Sequence, residues 1–170
     1  MKMAGRKDYL LFSRNTLSIV YGLQENAIQR MLDFDHICRR EKPSVAAIVN
    51  PTRGGWHKCF FGSREILLPM YRTLKQAAEK HPDAEVMVNF ASFRSAYPTT
   101  KEALETASIR TVAVIAEGVP EKYSKELAAL SRKKKKWVIG PATVSSRQGN
   151  ASRRETSPRS TAIVTTAITP

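Results

Sequence analysis

The sequence predicts an α/β fold, a Rossmann-like parallel sheet with helices on both faces. First, short runs of β-branched and small apolar residues alternate with helical patterns, as in chains built from right-handed crossovers. Second, residues 112–116 are apolar without interruption, which suits a strand buried on both faces. Third, this run stops at Glu117 and Gly118, and Pro120 then opens a helical pattern. The chain is therefore predicted to be organised around that strand and its exit.

The other elements follow from periodicity and from turn residues. The predicted strands are 18–22, 44–50, 85–90, 112–116 and 137–139, with 9–12 as a candidate edge strand and 52–62 as a hairpin. One helix covers about 24–37, with Ala27, Met31 and Phe34 on one face. The helix after strand 85–90 is predicted to begin at Thr99, which has capping-box spacing with Glu102. Two further helices are marked by apolar residues at helical spacing: Met70, Leu74, Ala77 and Ala78, then Tyr123, Leu127 and Leu130.

The domain organisation predicted from composition is simple. We expect one domain over residues 8–144, a disordered start over 1–7, and a basic, disordered tail over 145–170 that lacks helical or strand periodicity. The apolar runs are too short to cross a membrane. Residues 1–7 are basic but lack the apolar stretch of a secretory signal, so the expected location is cytoplasmic.

The charge balance points to an anionic partner. Lysine and arginine number 28 against 15 acidic residues, a net charge of +13. Nucleic acid is one candidate, but no RNP-like, zinc-finger or helix-turn-helix motif accompanies the charge. Part of the excess, residues 132–136, ends a helix, where cations favour the helix dipole. A cofactor that carries phosphates would equally benefit.

Several kinds of site are not indicated by spacing. Cys38 and Cys59 form no Cys-x-x-Cys pair and are predicted to be free thiols. His36, His57 and His81 have no metal-ligand spacing, so no metal site is predicted. No Ser/Cys–His–Asp arrangement is apparent.

Polar residues at two strand exits are the candidate binding residues. Ser92, Arg94 and Ser95 supply hydroxyls and a guanidinium that suit a phosphate, although helix capping and a surface arginine are the alternative. Glu117 follows the central strand, where open α/β sheets bind ligands, or it is a solvated loop acid. Gly22 follows the first strand, but it is the only glycine of a dinucleotide fingerprint there. Ordinary NAD binding and direct ATP binding are therefore weakly supported.

Six segments in order carry a family resemblance. They are residues 11–14, 31–35, 43–46, 89–96, 115–120 and 139–144: Leu-Phe-Ser-Arg, Met-Leu-Asp-Phe-Asp, Pro-Ser-Val-Ala, Asn-Phe-Ala-Ser-Phe-Arg-Ser-Ala, Ile-Ala-Glu-Gly-Val-Pro and Ile-Gly-Pro-Ala-Thr-Val. This series closely resembles the CoA-binding domain of ATP-citrate lyase, also called ATP-citrate synthase. That domain is related to the α subunit of succinyl-CoA synthetase. The start of the chain resembles the two-subunit form of the enzyme.

The resemblance implies a reaction and a set of roles. The family makes acetyl-CoA and oxaloacetate from citrate, CoA and ATP through a phosphorylated histidine. This domain would bind coenzyme A. ATP and Mg²⁺ would be bound by other domains or by an ATP-grasp partner subunit, in a larger oligomer. Glu117 would be catalytic, next to the thiol and acyl group. The CoA-binding residues implied are Asn89, Ala91, Ser92, Arg94, Ser95, Gly118, Gly140, Pro141, Ala142 and Thr143.

The departures from the family pattern are equally specific. After Val144 the family continues with two glycines, whereas Ser145 and Ser146 stand here. None of the three histidines lies in the Gly-His-Ala context of the family's phosphorylated residue. The chain is therefore expected to be inactive alone, and we hypothesise that the tail is an out-of-frame, mis-spliced or mispredicted end.

Three alternatives stay open at this point. The chain is a non-catalytic CoA-binding or regulatory module, a basic nucleic-acid binder, or a succinyl-CoA synthetase-like subunit. Residues 89–96 argue against the last of these, because that motif resembles the citrate enzyme.

Overall fold

The structure is a computed structural model that describes residues 11–141. The predictions for 1–7 and 145–170 lie outside the described residues, as do Ala142 and Thr143. The domain boundaries at 8 and 144 therefore stay predictions. Leu11 and Phe12 of the candidate edge strand 9–12 are not in a strand, and the rest of that segment is not described.

Seven strands and four helices account for the described residues. The strands form one sheet in the order β3-β4-β2-β1-β5-β6-β7, in which only the β3–β4 pair is antiparallel. The prediction of a mainly parallel α/β sheet is confirmed. The elements are β1 Leu17–Tyr21, α1 Glu25–Ile37, β2 Val45–Val49, β3 Gly55–Phe61, β4 Arg64–Tyr71, α2 Leu74–Lys80, β5 Ala84–Asn89, α3 Phe93–Glu105, β6 Thr111–Val114, α4 Glu121–Lys134 and β7 Trp137–Ile139.

Helices cover both faces of this sheet, as predicted. On one face, Ile28 and Leu32 of α1 pack with Val20, Ile48 and side chains of β3 and β4. On the other face, α2, α3 and α4 enclose a second apolar cluster, to which they contribute Leu74, Ala77, Ala103, Leu104 and Leu127. Because burying apolar surface is the main favourable term in folding, these two clusters hold the layers together.

The buried face of α1 differs from the prediction. Ile28, Leu32 and Asp35 are buried, whereas Phe34 is 58% exposed. The reason is that Asp35 is a buried polar residue, which apolar periodicity does not reveal. Its carboxylate accepts a 2.6 Å hydrogen bond from Ser44 N and lies 3.4 Å from Arg40 Nε.

The hairpin predicted within residues 52–62 is wrong in its extent, because that segment supplies only β3, which pairs with β4 further along the chain. Met70 was placed in a helix and lies instead in β4, where Leu68 and Met70 are buried. The apolar run that ends at Met70 fits either period, so sequence did not separate strand from helix. Helix α2 begins at Leu74 after Thr73, whose hydroxyl accepts a 3.2 Å hydrogen bond from Gln76 N.

The start of α3 was also predicted wrongly. The helix begins at Phe93, six residues before Thr99, and contains Pro98. Thr99 is buried inside the helix and its hydroxyl donates 2.8 Å to Ser95 O, so it is not a cap. Pro98 lacks a main-chain N–H, and directly after it Asn89 of β5 donates to the hydroxyls of Thr99 and Thr100.

Two smaller findings complete the fold. Cys38 is exposed, Cys59 is buried, and both are free as predicted. Within residues 11–141, no helix is both long enough and apolar enough to cross a membrane.

Candidate functional site

The order in which strands are added to the sheet reverses between β1 and β5. From β1 the chain passes through α1 on one face to β2, and from β5 it passes through α3 on the other face to β6. Loops that diverge in this way leave a crevice outside the carboxyl ends of the strands, where open α/β sheets bind ligands. Tyr21 and Asn89 end the two strands side by side.

The turn after β1 approaches the exit of β5 closely. Gly22 has φ +93°, and a β carbon there would lie 3.3 Å from Phe90 Cβ. The first turn of α1 follows at once, and no side chain caps it. Sequence analysis noted Gly22 but did not include this turn in the site, because strand order cannot be read from one chain alone.

Asn89 holds the β5 exit from inside the protein. Its side chain is 0% exposed. Nδ2 donates 2.8 Å to Thr99 Oγ1 and 3.0 Å to Thr100 Oγ1, while Oδ1 accepts 2.9 Å from Ala91 N. Asn89 was predicted to line a CoA site, but every polar atom of its amide is used within the protein. Within the protein, the amide holds the loop that contains Ala91, which is half-buried.

The N-terminus of α3 is open. Ser92 is the N-cap residue, but its hydroxyl makes no capping hydrogen bond. Its carbonyl accepts from Ser95 N and Ala96 N, which leaves the N–H groups of Phe93 and Arg94 without an acceptor among the described residues. Ser92, Arg94 and Ser95 are exposed there, with the Arg94 guanidinium 5.4 Å from the centre of the Phe93 ring. Free N–H groups, the positive end of the helix dipole and a guanidinium together suit an anion.

The exit of β6 lies beside that helix end. Ile115 N donates 3.0 Å to Asn89 O, so the two strands leave the sheet together. Glu117 and Gly118 are exposed in the following loop, and Gly118 has φ +74°. Glu117 therefore lies on the same edge of the sheet as Ser92.

The exit of β7 closes this edge. Gly140 has φ +100°, and a β carbon there would lie 2.4 Å from Val114 O, at the end of β6. Only glycine allows this approach. Gly140 therefore lies beside the β6 exit, and Pro141, which follows it, is half-buried.

A pair of stacked tyrosines joins α3 and α4 near their first turns. The rings of Tyr97 and Tyr123 are 4.5 Å apart, and Tyr97 OH donates 2.7 Å to Glu126 Oε2. This hydrogen bond raises the pKa of Tyr97, since the phenol is held protonated. Nearby, Lys125 lowers the pKa of Glu121 through a 2.8 Å ion pair. Sequence analysis did not identify the tyrosine pair, because it joins two separate helices.

The basic run lies at the other end of the domain. Arg132, Lys133 and Lys134 form the last turn of α4, and Lys136 Nζ donates to Thr106 O. A 14-residue helix is about 21 Å long, so these lysines are far from Glu117. They serve the helix end rather than this crevice. Within residues 11–141, no three His, Cys, Asp or Glu side chains form a metal site.

Comparison with known proteins assigns the domain to a family. The family described as CoA binding domain matches residues 13–118. The chain belongs to this CoA-binding domain family. The match runs from the loop before β1 to Gly118, so it includes the open helix end and Glu117 and stops before Gly140.

Individual proteins that match this domain carry more specific names than the family does. The chain is 52% identical to "Probable ATP-citrate synthase subunit 1" of Schizosaccharomyces pombe, over 84% of this chain and 24% of that protein. It is 50% identical to "ATP-citrate synthase beta chain protein 1" of Arabidopsis thaliana, over 83% of this chain and 23% of that protein. The chain thus spans about a quarter of the length of these relatives.

A solved structure agrees with this domain in sequence and in fold. ATP citrate lyase from Methanothrix soehngenii, in complex with citrate and coenzyme A, is 62% identical and has a TM-score of 0.79. The alignment covers 80% of this chain and 22% of that one. The resemblance read from the six sequence segments is therefore confirmed.

Proposed function

We propose that this chain is the CoA-binding portion of an ATP-citrate synthase, the enzyme that converts citrate, CoA and ATP into acetyl-CoA, oxaloacetate, ADP and phosphate. The observation that carries the proposal is the open N-terminus of α3, beside the point where the strand order reverses. It presents free N–H groups, two serine hydroxyls and Arg94 to an anion. The likeness to enzymes of that name supports the same function.

In this proposal the phosphates of CoA bind at the start of α3. Arg94 contributes charge-assisted hydrogen bonds, and Ser92 and Ser95 contribute hydroxyls. Asn89 and Ala91 act by fixing the loop, since Ala91 N is bound to the Asn89 amide. Gly140 and Pro141 form the neighbouring wall, which would continue through Ala142 and Thr143.

Glu117 is proposed to face the thiol end of the cofactor. It is exposed on the same edge as Ser92, and Gly118 beside it leaves open space around its α carbon. A carboxylate in that position acts as a base toward the thiol or orients the acyl phosphate.

The phosphorylation chemistry of the reaction is assigned to other domains or to a partner subunit. His36, His57 and His81 lie on α1, on β3 and at the end of α2, so none follows β1, β5 or β6 at the ligand edge. The phosphorylated histidine, ATP and Mg²⁺ would belong to further domains or to an ATP-grasp partner subunit, in a cytoplasmic oligomer. The isolated chain would bind CoA without turnover.

Calorimetry with fragments of the cofactor tests this assignment. We expect the full chain to bind CoA and 3′,5′-ADP, which keeps the 3′-phosphate and one of the two 5′-phosphates of CoA, and to bind pantetheine much more weakly. No heat with CoA at millimolar concentration would overturn the proposal. Binding of pantetheine as tight as that of CoA would contradict the role given to α3.

One further readout separates an enzyme part from a regulatory module. Added to a partner preparation that lacks only this domain, the chain should restore citrate cleavage, and Glu117→Gln should not. Complex formation without restored activity would favour a non-catalytic CoA-binding module.

A further inference from the structure

A side chain from α1 occupies the open edge of the sheet. Phe60 N donates 3.0 Å to Gln29 Oε1, and Gln29 Nε2 donates 2.9 Å to Phe60 O. The carboxamide therefore pairs with Phe60 as the peptide group of a further strand would. Gln29 Nε2 also donates 2.8 Å to Asp33 Oδ1, so the amide is held in this orientation.

Strand β3 is otherwise a long and regular edge. All seven of its residues pair in register with β4, and it contains neither proline nor bulge. Because both main-chain groups of Phe60 point away from β4, alternation directs those of Lys58 and Trp56 outward as well. Among the described residues, no acceptor or donor meets these outward groups of Trp56 and Lys58. Such an edge is a template for pairing with another strand.

The side chains along this edge are self-complementary. Trp56 is 66% exposed and Phe60 47% exposed, and both lie on the face opposite α1. Two antiparallel copies of β3 related by a two-fold axis at Lys58 would place each Trp56 opposite the other copy's Phe60, an aromatic cross-strand pair. Each Lys58 keeps a local counter-charge, since its Nζ lies 2.7 Å from Glu65 Oε2.

We propose that Gln29 is an edge cap that prevents β3 from pairing with β3 of a second copy of this chain. In the register described, the Phe60 of each copy lies at one end of the ladder, where its main chain must bond to Trp56 of the other copy. Gln29 occupies those groups of Phe60, so the wild-type edge offers only Trp56 and Lys58. The amide thus competes directly with the second copy.

The test is the mean mass of the full chain by sedimentation equilibrium. Gln29→Met keeps the length of the side chain and removes its hydrogen bonds. We expect its mean mass to rise up to twofold over the wild type with concentration. Gln76→Ala, a glutamine on the exposed side of α2, should leave the mass at the wild-type value.

A second variant identifies the surface. Lys58→Pro removes an outward N–H without breaking a β3–β4 bond, so Gln29→Met combined with Lys58→Pro should return to the wild-type mass. A folded Gln29→Met chain that keeps the wild-type mass would overturn the proposal, as would association that Lys58→Pro does not reverse. Loss of folding in Gln29→Met at low concentration would also overturn it, because the amide would then be needed for the fold itself.

Discussion

The amide of Asn89 donates a 2.8 Å hydrogen bond to Thr99 Oγ1, which joins the end of strand β5 to the middle of α3. The same amide accepts from Ala91 N, so one side chain fixes both the helix and the loop that leads into it. The open helix end at Ser92 is therefore set from the core and not from the surface.

Replacing Asn89 should destabilise the domain and weaken CoA binding together. Asn89→Ala leaves two threonine hydroxyls and Ala91 N short of a partner, and we expect a loss of roughly 2–4 kcal/mol in unfolding free energy. Denaturant unfolding measures it. Asn15→Ala, at an exposed loop position, is the matched control and should stay within about 0.5 kcal/mol. Equal stabilities of the two variants would contradict the role given to Asn89.

Two glycines of the ligand edge should respond differently to alanine. Gly118→Ala places a β carbon at a residue whose φ is +74°, with no neighbouring atom in the way, and we expect a loss of about 1–2 kcal/mol. Gly140→Ala adds a β carbon 2.4 Å from Val114 O, so the backbone must move as well, and we expect a loss of about 3 kcal/mol. Chemical unfolding of both variants compares them, and a smaller loss for Gly140→Ala would contradict the close approach of β7 to β6.

Stability should fall in mild acid because of His81. Burial lowers the pKa of His81, whose Nε2 lies 3.1 Å from Tyr71 OH. Because the folded pKa is below the unfolded value of about 6.5, the contribution of His81 to stability is present above that pH and is lost as pH falls through the folded pKa. His81→Gln should therefore show a flatter unfolding free energy between neutral and mildly acidic pH. Identical pH slopes in variant and wild type would refute this.

Arg94 should contribute to CoA affinity without contributing to stability. Arg94→Ala removes charge-assisted hydrogen bonds worth about 1.5–3 kcal/mol, a weakening of roughly 10- to 100-fold in Kd. Arg30→Ala, on the exposed side of α1, removes the same charge away from the crevice and should leave Kd unchanged. Calorimetry with both variants decides, and equal affinities would remove Arg94 from the site.

Sequence predicted the layers of this fold better than its edges. Strand β7, Trp137–Ile139, and helix α1 have the limits that periodicity gave within one residue, because each is bounded by clear turn residues. Strand β4 was missed, since its apolar run suits a helix equally well. The start of α3 was missed because the spacing of Thr99 and Glu102 fits a capping box, whereas Thr99 is in fact bonded to Asn89 of the preceding strand.

The candidate site divides in the same way. Ser92, Arg94 and Glu117 could be proposed from sequence because they follow apolar strands closely. The approach of Gly22 to Phe90 and the stacking of Tyr97 on Tyr123 depend on which strands and helices are neighbours, and one sequence does not specify that. The burial of Asn89 depends on how β5 packs against α3, which one sequence does not specify, and its contact with CoA stays a prediction.

The thermal unfolding midpoint of the full chain, measured with and without CoA, tests the central claim most directly. A ligand that binds only the folded state stabilises it by about 2.7 kcal/mol at a hundred times its Kd. We predict a midpoint that rises with CoA concentration in the wild type and in Arg30→Ala, and that rises much less in Arg94→Ala. A midpoint that does not move at millimolar CoA, or that moves equally in Arg94→Ala, would contradict the assignment of this crevice to coenzyme A.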